Sequence, residues 1–175
     1  MTGLIVWITG LSGSGKSSTA RAFAEVLKTD FGQDVVQLDG DAIRDVVKES
    51  GLIGEFSYEG HERRKWAHLY SGLASLFGQQ GHLVVVSTIS MFSETYEVNR
   101  RTMPKYYEVF LDIPMATIKE RDSRGYYAGE IANLSGVDIP IDKPTAAHMV
   151  IADPSKSPEE IAALIVVELK KENYL

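Results

Sequence analysis

Cysteine is absent from the 175 residues, and the chain has no excess of positive charge. Without cysteine it cannot form disulfides, attack through a thiol or bind zinc through thiolates, and this absence fits a reducing cytoplasm. The 24 acidic residues outnumber the 18 Lys and Arg, for a formal net charge of −6. That balance argues against a general nucleic-acid binder, whose surface is usually basic. An anionic substrate would therefore need a local cluster of basic side chains.

Long hydrophobic runs are missing as well. No apolar stretch approaches the roughly 18 residues that a membrane span needs. The opening residues MTGLIVWITG contain neither a basic leader nor a small-residue cleavage site. We therefore expect a cytoplasmic protein, bound neither to membranes nor to nucleic acid, that begins at or near Met1. A length of 175 residues suits one domain with its own core, so the predicted domain covers 1–175.

Short β-rich runs alternate with helical patterns along the chain. Most of the runs are near-continuous apolar stretches with no alternation of apolar and polar residues, which is typical of strands buried on both faces of a parallel sheet. The alternation predicts an α/β fold with three layers, helices lying on both faces of the sheet. The five predicted strands are Leu4–Ile8, Val35–Leu38, Leu83–Ser87, Tyr106–Leu111 and Met149–Ala152.

The helices carry recognisable ends and apolar stripes. Gly32 follows the first helical pattern as its stop, and Ser157 opens the last helix as a capping box with Pro158 at the first helical position. Two segments, 51–60 and 122–144, are too long and polar for ordinary connections, so we expect binding loops or a lid there. A stripe at helical spacing predicts the buried face of a middle helix. Its members are Trp66, Leu69, Tyr70, Leu73, Leu76 and Phe77.

The segment Gly10-Leu11-Ser12-Gly13-Ser14-Gly15-Lys16-Ser17 is a complete Walker A motif between a predicted strand and a helix. Its glycines let backbone N–H groups wrap the phosphates of a nucleotide at the helix N-terminus. Lys16 is predicted to bridge the β- and γ-phosphates, and the Ser17 hydroxyl to bind Mg²⁺. The predicted ATP ligands of the loop are Gly10, Ser12, Gly13, Ser14, Gly15, Lys16, Ser17 and Ser18.

Two carboxylates follow the second predicted strand in Leu38-Asp39-Gly40-Asp41-Ala42-Ile43-Arg44. Ligands of open parallel sheets bind beyond the carboxyl ends of the strands, so Asp39 and Asp41 should face the nucleotide. A hydroxyl acceptor needs a base, and Mg²⁺ needs carboxylate partners. We predict that the two aspartates divide these tasks, with Asp39 also organising the metal beside Ser17. Arg44, one turn later, is placed to hold an acceptor anion.

The loop GLSGSGKSS followed by LDGDAIR resembles the adenylylsulfate kinase family, which phosphorylates the ribose 3′-hydroxyl of adenosine 5′-phosphosulfate. Matching segments follow in the same order over nearly the whole chain. They are Ile89-Ser90, Arg121-Asp122, Ala128-Gly129-Glu130-Ile131 and Ser135-Gly136-Val137-Asp138-Ile139-Pro140. The resemblance implies a P-loop kinase fold with a five-stranded parallel sheet, MgATP as the donor, a lid and commonly a homodimer.

The resemblance also implies roles for individual residues. Asp39 is the base or the metal-organising carboxylate, with Asp41 beside it. Arg121 and Arg124 enter the lid and are expected to close over the donor phosphates. The residues implied on the acceptor side are Arg44 and Arg63 for the charged 5′ group, with Phe56, Ile89, Ser90 and Leu134 beside the acceptor.

Departures from the family cluster on the acceptor side. Ala42 and Trp66 stand where the family has asparagine, and Leu134 replaces the phenylalanine that stacks on the acceptor adenine. Core packing is the simplest interpretation of Trp66. The lid is shorter than the family's by about one helical turn. Two acceptors therefore remain open: adenosine phosphosulfate, or a cytidine-linked anion such as cytidine diphosphoramidate in capsule assembly, whose branch the segment 88–92 resembles.

Other protein classes share the Walker A motif. A GTPase needs a guanine-reading Asn-Lys-x-Asp, and the sequence contains none. A non-catalytic ATP-binding module predicts nucleotide binding without transfer, and a nucleoside-monophosphate kinase is chemically close. The Asp39-Gly40-Asp41 segment with Arg44 favours an ATP-dependent kinase of a small nucleotide-linked anion.

Overall fold

The sheet lies at the centre of the molecule, with helices on both of its faces. The computed structural model describes residues 3–51, 60–103, 105–122, 125, 127 and 134–175. Within these ranges the strands are β1 (Ile5–Gly10), β2 (Val35–Asp39), β3 (Leu83–Thr88), β4 (Tyr106–Leu111) and β5 (Met149–Ile151). The helices are α1 (Lys16–Phe31), α2 (Gly40–Glu49), α3 (Gly60–Gln79), α4 (Ser93–Thr102), α5 (Met115–Glu120) and α6 (Pro158–Lys171).

All neighbouring strands are parallel, in the order β2-β3-β1-β4-β5. Every residue of β1 and β4 is buried, which explains why both strands are mostly apolar, with Glu108 as the charged exception in β4. The predicted α/β class with three layers is confirmed. Two predicted helix ends are also confirmed: Gly32 ends α1 at φ 64°, and Ser157 begins α6 with a reciprocal capping box to Glu160.

The two faces of the sheet carry separate cores. On one face, apolar residues of α1 and α6 pack against β1 and β4, and Phe23, Leu27 and Ile165 are fully buried there. On the other face, α3 packs against Trp7 of β1 and Val86 of β3. Among the described residues, no helix has both the length and the apolar character that crossing a bilayer requires.

The predicted buried stripe of α3 is partly wrong. Leu69 is 38% exposed and Leu76 is 51% exposed, although both were expected in the core. Two alanines, Ala67 and Ala74, are fully buried instead. Their small side chains let the helix lie close to the sheet, and this turns the leucines at the edge of the stripe toward solvent. The other four residues of the stripe do pack in the core of this face. They are Trp66, Tyr70, Leu73 and Phe77.

Three strands end at the same edge of the sheet with the polar residues that matter for function. The Walker A loop follows β1, Asp39 ends β2, and Ser87 and Thr88 end β3. Because β2 and β3 are neighbours in the sheet, Asp39 lies directly opposite Ser87. The candidate active site is therefore built where carboxyl ends of adjacent parallel strands meet.

Candidate active site

The Walker A loop adopts a backbone that glycine permits. Gly15 has φ 98° and immediately precedes α1, a left-handed conformation that side chains disfavour. Gly10 has φ 151°, and a Cβ atom there would lie 2.7 Å from the carbonyl oxygen of Leu111. The loop is thus held close to β4 while its end leads into α1, so free N–H groups of the first helical turn face an incoming phosphate.

Lys16 is the first residue of α1, and its ammonium donates a hydrogen bond to the carbonyl of Leu11 across the loop, at 2.7 Å. Burial lowers the pKa of Lys16 to about 8; the charge of Asp39 opposes this shift, and that of Arg44 adds to it. A cation held in a buried position beside the loop amides is arranged to receive the charge of a polyphosphate.

Asp39 holds the two strand ends and the start of α2 together. Its Oδ2 accepts hydrogen bonds from the hydroxyls of Ser17 at 2.6 Å and Ser87 at 2.7 Å. Its Oδ1 caps α2 by accepting from the amides of Asp41 at 2.9 Å and Ala42 at 3.2 Å. Burial raises the pKa of the Asp39 carboxyl, but these hydrogen bonds and Lys16 outweigh it and hold the pKa below its usual value. Asp39 is therefore an ionised carboxylate beside Ser17.

Arg44 is held on two sides within the first turns of α2. One nitrogen, Nη2, forms an ion pair with Asp41, and the other, Nη1, donates to the hydroxyl of Tyr70 at 3.0 Å. Tyr70 in turn donates to the carbonyl of Gly40 at 3.0 Å. The guanidinium of Arg44 faces a pocket between α2, α3 and the end of β3.

That pocket combines two guanidinium groups with an apolar and aromatic wall. Arg63 on α3 donates to the hydroxyl of Ser135 at 3.0 Å, so the segment after residue 134 closes one side. Its lining residues are Arg44, Arg63, Trp66, Tyr70, Thr88, Ile89, Ser90, Met91, Phe92, Ser135, Ile139, Pro140 and Ile141. Trp66 belongs to the core of that face and also lines the pocket. The mixture suits a ligand that carries both an anion and a flat or apolar group.

A tight turn after β3 forms the floor of the pocket. The carbonyl of Ile89 accepts a hydrogen bond from the hydroxyl of Thr9 at 2.5 Å, and Ser90 adopts φ 27°. The hydroxyls of Ser90 and Thr88 lie 2.9 Å apart in a hydrogen bond. A positive φ in a residue other than glycine is uncommon and often found where a site constrains the backbone. The turn therefore presents the Ile89-Ser90 pair to the pocket in a fixed orientation.

The remaining predicted residues do not line the pocket between α2 and α3, or lie outside the described residues. Arg121 donates to the carbonyl of Pro154, and Leu134 anchors a turn through its backbone without lining the pocket. Ser12 accepts a hydrogen bond through its carbonyl from the hydroxyl of Tyr127 at 3.0 Å. Phe56, Arg124 and much of the predicted lid lie outside the described residues. The ligand roles of these residues remain predictions.

Three contacts were missed by the sequence argument. Ser87 was counted only as the end of a strand, Tyr70 only as part of an apolar stripe, and Ser135 only as part of a family segment. Each of them contacts a predicted site residue through its hydroxyl: Asp39, Arg44 and Arg63 respectively. For Ser87 a partial signal was available, because a polar residue ends an otherwise apolar predicted strand.

Comparison with known proteins shows which family this chain is homologous to. Residues 2–152 match the sequence model of the family described as adenylylsulphate kinase. The chain belongs to this family. Adenylylsulphate kinase family members are ATP-dependent kinases, and this chain is one that phosphorylates a hydroxyl group. The family assignment explains why the donor loop, Asp39 and Arg44 converge at one edge of the sheet.

Individual relatives of this adenylylsulphate kinase family member resemble the chain over nearly its full length. The cytidine diphosphoramidate kinase of Campylobacter jejuni is 36% identical, over 94% of this chain and 95% of that protein. The adenylyl-sulfate kinase of Aeromonas salmonicida is 32% identical, over 98% and 88%. The APS kinase of Mycobacterium tuberculosis, solved with AMPPNP and APS, superimposes with a TM-score of 0.85 at 32% identity, over 97% of this chain and 98% of that one.

Proposed function

We propose that this protein transfers the γ-phosphate of ATP, bound with Mg²⁺, to the ribose 3′-hydroxyl of a nucleotide-linked anion in the cytoplasm. The observation that carries the proposal is the position of Asp39, which joins the donor loop through Ser17 and begins the helix that carries Arg44. One carboxylate therefore joins the donor loop to the helix that carries the acceptor's anchor, and this keeps the two sites close enough for an in-line transfer.

The oxygens around Ser17 fit Mg²⁺. The hydroxyl of Ser17 and the ionised carboxylate of Asp39 are hard oxygen donors 2.6 Å apart, beside the loop for the phosphates. The described residues contain no cluster of three or more His, Cys, Asp or Glu side chains. This agrees with Mg²⁺ bound mainly through substrate phosphates and water, with one or two protein oxygens. When bound, the ion neutralises charge that develops on the transferred phosphoryl group.

The roles of the two aspartates follow from their surroundings. Asp39 accepts four hydrogen bonds and has a lowered pKa, so it is a weak base and a good holder of water around the metal. Asp41 is exposed and pairs with Arg44, which itself lines the pocket. Since the transition state of phosphoryl transfer is loose, the attacking hydroxyl loses its proton late and needs no strong base. We assign metal organisation to Asp39 and orientation of the hydroxyl to Asp41.

The acceptor is anchored by Arg44 and Arg63, which face the pocket from α2 and α3. Adenosine phosphosulfate is one candidate, because relatives named for it cover the chain. A cytidine-linked anion such as cytidine diphosphoramidate is the second. It is favoured by the Campylobacter relative and by the wall of Trp66, Met91 and Phe92, where the family resemblance breaks down.

The test is ADP release by the purified protein with MgATP across adenosine phosphosulfate, cytidine diphosphoramidate and nucleoside monophosphates. We expect turnover on one nucleotide-linked anion far above the acceptor-free rate. Arg44→Ala should raise the KM for that acceptor about 10- to 100-fold without changing the KM for ATP, since it removes hydrogen bonds to charge. Arg101→Ala, an exposed arginine on α4, is the matched control. ATP binding without transfer to any acceptor would instead identify a non-catalytic module.

A further inference from the structure

We infer that Tyr70 is a positioning residue that sets the affinity for the acceptor by holding the guanidinium of Arg44. This inference rests on the proposed function, because Arg44 is there the anchor of the acceptor's anion. Tyr70 lies in the middle of α3, and its place in the apolar stripe gives no sign of a role in acceptor specificity.

The first step is the geometry of the hydroxyl. Tyr70 is 1% exposed, and its ring lies in the core beside α3 while its oxygen reaches the pocket. The hydroxyl accepts from Nη1 of Arg44 at 3.0 Å and donates to the carbonyl of Gly40 at 3.0 Å. Burial raises the pKa of Tyr70, although the nearby Arg44 opposes the shift, so the phenol stays protonated and keeps its donor. Both capacities of the hydroxyl are thus used on α2.

The second step is what Tyr70 adds to the other contact of Arg44. Asp41 pairs with Nη2 from the exposed side of the helix, whereas Tyr70 contacts Nη1 from the buried side. An ion pair between partly exposed groups contributes little and tolerates several side-chain geometries. A second contact from a rigid, buried ring fixes the plane of the guanidinium before the acceptor arrives. Preorganisation of this kind reduces the entropy lost on binding.

The third step separates Tyr70 from catalysis. The Asp39 carboxylate is held by Ser17, Ser87 and the first amides of α2, and none of these contacts involves Tyr70. Removing the Tyr70 hydroxyl should therefore leave the donor site and the metal-organising carboxylate in place. The expected effect falls on the acceptor's KM and spares kcat, as it does for a contact made equally in the ground and transition states.

The test is Tyr70→Phe, which removes the hydroxyl and keeps the ring. We expect the acceptor's KM to rise about 2- to 10-fold, the range for having to order one side chain on binding, with kcat and the KM for ATP unchanged. In an Arg44→Ala background the same change should add nothing. The matched control is Tyr106→Phe, which removes a buried hydroxyl that donates to Glu108 at 2.7 Å on β4. A fall in kcat, an equal rise in the KM for ATP, or full additivity with Arg44→Ala would overturn the inference.

A second measurement keeps the inference separate from the proposed function. If the wild type transfers phosphate to no acceptor, the proposed function fails, and the side-chain NMR signals of Arg44 then decide. A guanidinium held on two sides rotates slowly and gives separate Nη resonances at low temperature, which should merge in Tyr70→Phe. Unchanged resonances would show that the pair with Asp41 alone holds Arg44, and this result would overturn the inference.

Discussion

Replacing Ser87 with alanine removes one of the two hydroxyls that donate to Oδ2 of Asp39 and leaves the fold of β3 untouched. The lost bond is 2.7 Å long and ends on a carboxylate whose pKa is held below its usual value. Hydrogen bonds to charged groups contribute about 1.5–3 kcal/mol. Because Asp39 is only half-buried, we expect the lower end, about 1–2 kcal/mol of unfolding free energy at pH 7.

The stability difference between the wild type and Ser87→Ala should depend on pH, and the lowered pKa of Asp39 gives the direction of that dependence. A carboxyl whose pKa is lower in the folded state stabilises the protein above its unfolded pKa, and this stabilisation is lost as pH falls through the folded pKa. The difference between wild type and Ser87→Ala should therefore be largest at neutral pH. It should shrink at acidic pH to the value for a neutral hydrogen bond, about 0.5–1.5 kcal/mol or less.

Urea unfolding at pH 7 and at steps below pH 4, followed by circular dichroism, measures both quantities. Ser50→Ala is the control, since the Ser50 hydroxyl donates at 2.6 Å to the carbonyl of Val47, a neutral acceptor at the exposed end of α2. Its effect should not vary with pH. If Ser87→Ala costs no stability at pH 7, or the same at every pH, the Asp39 carboxylate does not depend on Ser87 as argued.

Two further changes test the donor loop. Burial lowers the pKa of Lys16 to about 8, so the ammonium loses its proton above that pH. A bound polyphosphate should make Lys16 take up a proton again. Calorimetry of MgATP binding in buffers of different ionisation heat should therefore show proton uptake at pH 9 and little at pH 7. Uptake that persists in Lys16→Met would contradict this assignment. Gly10→Ala would place a Cβ atom 2.7 Å from the carbonyl oxygen of Leu111. We therefore expect the free energy of unfolding to fall by several kcal/mol, and we expect ATP binding to be lost as well. Gly72→Ala, on α3 with open space around its Cβ position, is the control and should be tolerated; equal effects of the two alanines would refute the close approach.

The sequence predicted the strands of this protein better than it predicted the faces of its helices. β4 has the predicted bounds, Tyr106–Leu111, because a strand buried on both sides is visible as a mostly apolar run, here interrupted only by Glu108. The α3 stripe was partly wrong because counting large apolar residues overlooks alanine, whose small side chain brings the helix close to the sheet. The spacing of apolar residues shows that a helix is amphipathic. It does not show which side of the apolar stripe packs closest to the sheet.

For the site, the motifs predicted which residues would gather at the carboxyl edge, and their contacts depended on strand order. Asp39 meets Ser87 because β2 lies beside β3, and nothing local to either segment specifies that pairing. Tyr70 was hidden for another reason: a tyrosine in an apolar stripe gives no sign of where its hydroxyl ends. A residue such as Tyr70, whose ring is buried and whose hydroxyl forms hydrogen bonds, is predicted from sequence only as a core residue.

Asp39 is at once the cap of α2 and the carboxylate beside Ser17, so the helix starts next to the Walker A loop. Arg44 follows five residues later, about 7.5 Å along the helix axis at 1.5 Å per residue. Under the proposed function, α2 therefore fixes the distance between the site of transfer and the anchor of the acceptor's anion. Inserting one residue between them would lengthen that distance and turn the guanidinium by about 100° around the axis. On this view, acceptors are selected by the distance between their reacting hydroxyl and their charge, as well as by the shape of their base.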